Sequence, residues 1–316
     1  MLGLFSFLAN AQKWSSILGA KRELGLTNLY GDCKMRLGGP VFSTSEDPQQ
    51  LVNAHRKHGF SAAYTRRMDD KGKRDELCAA YAEANIQISE LGAYGINILE
   101  IDPALRQKNI DEICKQLAYA DETGVRCCVI HGGSYQTGGW GQPNPENFSQ
   151  RAFDETVKAV QKIVDQVQPT RAKLVMETEK YVFPDDPDVY LRLIKAIGRK
   201  GFGVHLDPIN IVSSPKLLYE NGAFVKECFA KLGPHIVSCH SKDVITADKY
   251  PYHIGETYTG NGELSYGVYL TALAQLDEDI PLMLEHLNAE QLPLARDFLF
   301  QKAEEVGVSF VKPAGN

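Results

Sequence analysis

No stretch of this chain approaches the roughly 18 consecutive apolar residues of a membrane-spanning helix, and no low-complexity tract or solenoid-length repeat is visible. Basic charge is in short supply, with 34 Lys and Arg against 40 Asp and Glu, a net charge of −6. Nucleic-acid binding draws on clustered cations, so neither nucleic acid nor a membrane is expected as a partner. Cysteine pairs are missing too. Cys33, Cys78, Cys114, Cys127, Cys128, Cys228 and Cys239 include no C-x-x-C spacing, and most lie in apolar runs such as VRCCVI and IVSCH. There cysteine behaves as a small hydrophobe, which is a reduced, cytoplasmic pattern and not a disulfide framework. The start MLGLFSFLANA imitates a short apolar leader but lacks the preceding basic residues, so no secretory signal is expected.

What the chain does have is alternation. Short apolar, β-branched runs occur at 35–42, 60–65, 86–93, 125–132, 172–177, 202–207, 235–240 and 280–285. Continuous apolar runs of this length suit parallel strands buried on both faces. Amphipathic segments lie between them. RAFDETVKAVQKIVDQV sets Phe153, Val157, Val160, Ile163, Val164 and Val167 on one stripe, and PDVYLRLIKAIGRK does the same with Val189, Leu193, Ile194 and Ile197. Eight strands each followed by a helix predict an α/β fold, a (β/α)8 TIM barrel over 34–316, preceded by an N-terminal helical extension at 1–33. A doubly wound open sheet is the alternative, but its nucleotide turn is absent, because LGGPVF after the first run is no G-x-G-x-x-G. Two long loops, 132–149 and 243–266, have the length of lids or binding loops.

Barrel active sites lie at the C-terminal ends of the strands, so the residue closing each run carries weight. The last five runs close on His131 (followed by Gly132), Glu177, Asp207, His240 and Glu285. A buried carboxylate is costly unless paired or metal-bound, and five such endings would converge on one mouth. Glu177, Asp207, His240 and Glu285 form an oxygen-rich set suited to one divalent ion, Mn²⁺ or Mg²⁺, with Co²⁺ or Zn²⁺ tolerated. A cation between the three carboxylates explains how all can stay ionised.

VMETE, VHLDPIN, SCHSKDV and LMLEHL, in this order, resemble the sugar phosphate isomerase/epimerase family of xylose-isomerase-like TIM barrels over about residues 34–310. The resemblance implies a metal-dependent enzyme, with Glu177, Asp207, His240 and Glu285 as ligands to one ion, commonly Mn²⁺. It further implies Glu177 and Glu285 as acid and base on opposite faces of a sugar. Ketose epimerases of this kind carry histidine and arginine where this chain has Asn210 and Thr246. The H-x-K-D form with Lys242 and Asp243 resembles instead the branches with inosose dehydratases and C-glycoside deglycosidase large subunits, where His131 is the matching base. The shared step is proton abstraction next to a carbonyl. Isomerisation or epimerisation is the expected outcome, with elimination from an oxo-sugar or 3-oxo-glycoside as the alternative. An abasic-site nuclease is a remote reading, since DNA-repair barrels share this superfamily but use a histidine-rich multi-zinc cluster.

Four further residues are expected near substrate: Asn210, Lys242, His205, which shares the facing of Asp207, and Trp140, a sugar-stacking residue of the 132–149 loop. A carbohydrate or glycoside substrate is the expected partner, in a homo-oligomer or a hetero-oligomer with a small subunit.

Overall fold

A computed structural model describes residues 35–247, 250–251, 253–276 and 279–315. The extension expected at 1–33 lies outside the described residues. The strands are β1 (Arg36–Gly38), β2 (Ala62–Thr65), β3 (Gln87–Gly92), β4 (Cys127–Ile130), β5 (Lys173–Glu177), β6 (Phe202–Leu206), β7 (Ile236–Ser241), β8 (Asp243–Ala247), β9 (His253–Thr257) and β10 (Pro281–Leu284). Eight of them close a parallel barrel in the order β1-β10-β7-β6-β5-β4-β3-β2. All eight lie within the apolar runs read from sequence or one residue beyond them. The first is shorter than its run. It stops at Gly38, two residues before Pro40, which has no N–H for the ladder.

Helices α1 (Pro48–His58), α2 (Lys71–Glu83), α3 (Pro103–Thr123), α4 (Gln150–Val167), α5 (Pro187–Ile197), α6 (Pro215–Tyr219), α7 (Asn221–Leu232), α8 (Tyr266–Leu273) and α9 (Gln291–Val306) fill the connections. Their ends are written locally. The side chains of Asp47, Asp70, Asp102, Ser149 and Asp186 accept orphan N–H groups at the starts of α1 to α5. Gly59, Gly124, Gly198 and Gly307 take the left-handed conformation that closes α1, α3, α5 and α9. Of the α4 stripe, Phe153, Val160, Ile163 and Val164 are buried against the sheet side, while Val157 and Val167 are half-buried.

Strand alternation grades the barrel interior along its axis. Cys127, Val129, Val175 and Val237 form an apolar layer toward the N-terminal ends. One and two steps further along the same facings come Glu177, His205, Asp207 and His131. The register pairs Glu177 with His205 and Met283 with His240, which brings the polar ends level. The 243–266 segment is not a plain loop, since β8 and β9 form an antiparallel hairpin beside the mouth.

Candidate metal centre

Glu177, Asp207, His240 and Glu285 each offer a ligand atom, and all four atoms lie within 4.8 Å of one another. His240 Nδ1 stands 3.1 Å from Glu177 Oε1, 3.1 Å from Glu285 Oε2 and 3.8 Å from Asp207 Oδ2. Lys242 Nζ approaches the same oxygens, at 2.7 Å from Asp207 Oδ2 and 2.8 Å from Glu285 Oε2. Neither of those two buried oxygens has a partner in hydrogen-bonding geometry. Burial opposes charge here, yet Lys242 and His240 hold the Asp207 carboxyl down at about 2. His240 is pulled the other way: burial disfavours its charge, but Glu285 and Glu177 raise its pKa well above the ordinary range. The pocket therefore draws positive charge to one point between three carboxylates. Three converging carboxylates with one imidazole are a donor set that fits a divalent ion.

A carboxylate not singled out in the sequence lies beneath this set. Glu90 of β3 is fully buried, with Oε2 3.2 Å from His240 Nε2 and Oε1 3.5 Å from His205 Nδ1. Ser238 Oγ donates to Glu90 Oε1. Its signal is a glutamate in mid-run of IQISELGA, which a reading of strand ends passes over. His205 is sealed from solvent, edge-on to His240 with ring centroids 4.1 Å apart, and both its ring nitrogens lack hydrogen bonds. It has no exposed surface to offer a substrate, so its place is in the packing behind His240.

On the other flank, His131 Nδ1 is 3.8 Å from Glu179 Oε1 and 4.0 Å from Glu177 Oε2, without a hydrogen bond. Burial pushes the His131 imidazole down to about 4, so it is neutral at neutral pH. Trp140 is stacked on it, and Tyr94 lies 5.4 Å away on centroids. Asn210 Nδ2 donates to Glu177 Oε1 at 3.0 Å and lies 3.3 Å from Glu179 Oε1. Glu179, also unremarked in the sequence, is pushed up to about 8 by burial and by Glu177 and Asp207.

The 132–149 loop is braced. Asn97 bonds the Ser134 N–H and carbonyl at 2.9 and 2.7 Å, Glu100 accepts from Gly138 N at 2.9 Å, and Asn147 ties Tyr135 N to the Gln142 and Tyr181 carbonyls. The length of this segment predicts a lid or a binding loop, and these bonds tie it to the β3–α3 connection and to Tyr181.

The profile of the xylose isomerase-like TIM barrel family matches residues 52–303. The chain belongs to that family. No curated protein matches it. Among solved structures, a probable 3-DHS dehydratase from Bacillus anthracis is 16% identical, with 86% of this chain and 98% of that chain covered at a TM-score of 0.65. D-psicose 3-epimerase from Clostridium cellulolyticum is 12% identical, with 87% and 100% covered at 0.61. Endonuclease IV from Thermus thermophilus is 13% identical, with 85% and 99% covered at 0.65. At these identities the likeness is one of fold.

In this xylose isomerase-like barrel the hairpin adds a further acid to the mouth. Glu256 of β9 lies 3.8 Å from Lys242 Nζ and 2.7 Å from His286 Nδ1, whose own Nε2 is 3.5 Å from Glu285. Asp243 faces away from the ligands. Its carboxylate accepts the N–H groups of Val244, Gly260 and Leu264 at 2.8 to 3.0 Å. The residue thus stitches the GNGEL turn to the hairpin base, and the Gly260 N–H already has an acceptor. Among the described residues no helix is long and apolar enough to cross a membrane.

Proposed function

We propose that this protein is a divalent-metal-dependent sugar isomerase or epimerase that moves a proton at a carbon next to a carbonyl. The observation that carries the reading is the convergence of three carboxylates and one imidazole, those of Glu177, Asp207, Glu285 and His240, on one point. When bound there, Mn²⁺ or Mg²⁺ supplies Lewis acidity toward substrate oxygens. Glu177 and Glu285 come from different sides of the barrel, on β5 and just past β10, and both carboxyls lie below the usual range. For Glu177 the opposing effect of burial is outweighed by His240, and for Glu285 by His240 and Lys242. Each is therefore held ionised, the form in which a carboxylate can act as a base toward one face of a substrate. Asn210 fixes the Glu177 carboxylate by its hydrogen bond. Lys242, pinned between Asp207 and Glu285, is a cation within reach of a substrate oxygen. The acidic net charge and the one histidine in the ligand set favour a carbohydrate over a nucleic acid.

A second reading rests on His131. That it is neutral, buried and without a hydrogen bond at Nδ1 supports a reading in which it takes the proton in a β-elimination from an oxo-sugar or 3-oxo-glycoside. The C–H electron pair then forms the new double bond, and the β-group departs with its own bonding pair. The free cysteines, Cys114, Cys127, Cys128, Cys228 and Cys239 buried and Cys78 half-buried, support a reducing, cytoplasmic setting.

The test uses Mn²⁺-loaded protein and a panel of ketoses, oxo-sugars and glycosides in D₂O. Deuterium at carbon in recovered sugar, with no product lacking a β-group, is the expected result. Release of an aglycone or water would move the assignment to the lyase. No exchange and no release across the panel, by protein that binds the ion, would overturn both.

A further inference from the structure

We infer that Glu90 is a positioning residue of the metal site, its carboxylate accepting the Nε2 proton of His240 and so committing Nδ1 to the ion. The inference rests on the metal reading above. The two residues come from β3 and β7, which are not neighbours in the barrel, so the contact at 3.2 Å spans the interior. His240 turns one ring nitrogen toward Glu177, Asp207 and Glu285 and the other toward Glu90. An imidazole that ligates through Nδ1 keeps its proton on Nε2, and that proton needs an acceptor in a fully buried site. Glu90 is the acceptor. It is itself held, by Ser238 Oγ on Oε1, while the His205 ring packs edge-on to His240. A buried carboxylate in the middle of an apolar strand is otherwise costly. Orientation of a ligand histidine gives it a function.

Glu90, His205 and His240 also lie close enough to hold an ion of their own. That arrangement would require His240 to ligate through both nitrogens, so the single-ion reading is preferred and the other is an outcome of the test. Mn²⁺ is titrated into metal-stripped wild type, Glu90→Leu, Glu90→Gln and Ser238→Ala, with bound ions counted and metal-free thermal unfolding recorded. Glu90→Leu should raise Kd about 10–100-fold. Glu90→Gln, of the same shape, should raise it by roughly tenfold while the metal-free protein still unfolds cooperatively. That variant carries the test if the leucine protein does not fold. Wild-type affinity in Glu90→Gln and Glu90→Leu would overturn the inference and leave the metal reading standing. Two ions per wild-type chain, falling to one in the Glu90 variants, would overturn it in favour of a second ion site. A wild type that binds no divalent ion would overturn the metal reading itself.

Discussion

The indole of Trp140 lies on the imidazole of His131, with ring centroids 3.5 Å apart and planes 14° from parallel. A stack of this geometry fixes the plane of a ring that has no hydrogen bond at Nδ1. The loop that carries Trp140 is held by Asn97, Glu100 and Asn147. In the elimination reading, where His131 takes the proton, Trp140→Ala should lower kcat by about tenfold through lost positioning of that ring, and Trp140→Phe should recover most of it. Steady-state kinetics of the two variants decide this. A change in KM alone would return Trp140 to substrate contact.

Lys242 bears on the metal-free protein more than on the loaded one. Its ammonium is 2.7 and 2.8 Å from Asp207 and Glu285, so Lys242→Met leaves buried carboxylates facing each other without it. The metal-free Tm should fall, and saturating Mn²⁺ should raise Tm by more than it does in wild type, since the ion binds the folded state only. Equal metal-induced shifts in the two proteins would argue that the lysine does not compensate the ligand charges.

Gly132, next to His131, admits no side chain. A Cβ there would stand 1.7 Å from the Phe183 carbonyl oxygen, and backbone cannot yield as a flexible side chain does. Gly132→Ala should cost about 3 kcal/mol and depress activity, because moving either backbone shifts His131. Denaturant titration would check the first effect. A loss within experimental error would mean that the Phe183 segment relaxes freely.

His55 gives the protein a pH-dependent stability remote from the mouth. Its ring is buried against Tyr81, with Nδ1 2.8 Å from the Leu51 carbonyl. Burial lowers its pKa against the smaller opposing effect of that hydrogen bond. Above about 6.5, the ordinary histidine value, the ring is neutral in both states and its contribution is fully present. As pH falls below that value the unfolded chain takes up the proton first, and stability is lost until the folded value is passed. His55→Phe should therefore lose less stability than wild type between about pH 7.5 and 5.5. Parallel losses in urea titrations at the two pH values would refute it.

Much of this protein could be read in advance, for local reasons. The alternation of apolar runs with amphipathic stripes announced the barrel. Where charged residues end buried strands, as at Glu177 and His240, the sequence pointed at the mouth, since nothing in a core favours a charge there. The hairpin at 243–257 has no clear signature in the sequence, because its strands DVITA and HIGET are short and show no period-2 burial.

What the sequence by itself determined is the class of fold and the convergence of Glu177, Asp207, His240 and Glu285, because strand polarity forces every C-terminal end to one mouth. Which groups lie behind and beside that set was decided only in three dimensions. Glu90 reaches His240 across 150 positions of chain, and the stack of Trp140 on His131 depends on how one loop is braced. Such contacts follow from register, barrel closure and loop path, none of which has a local signature in the order of residues.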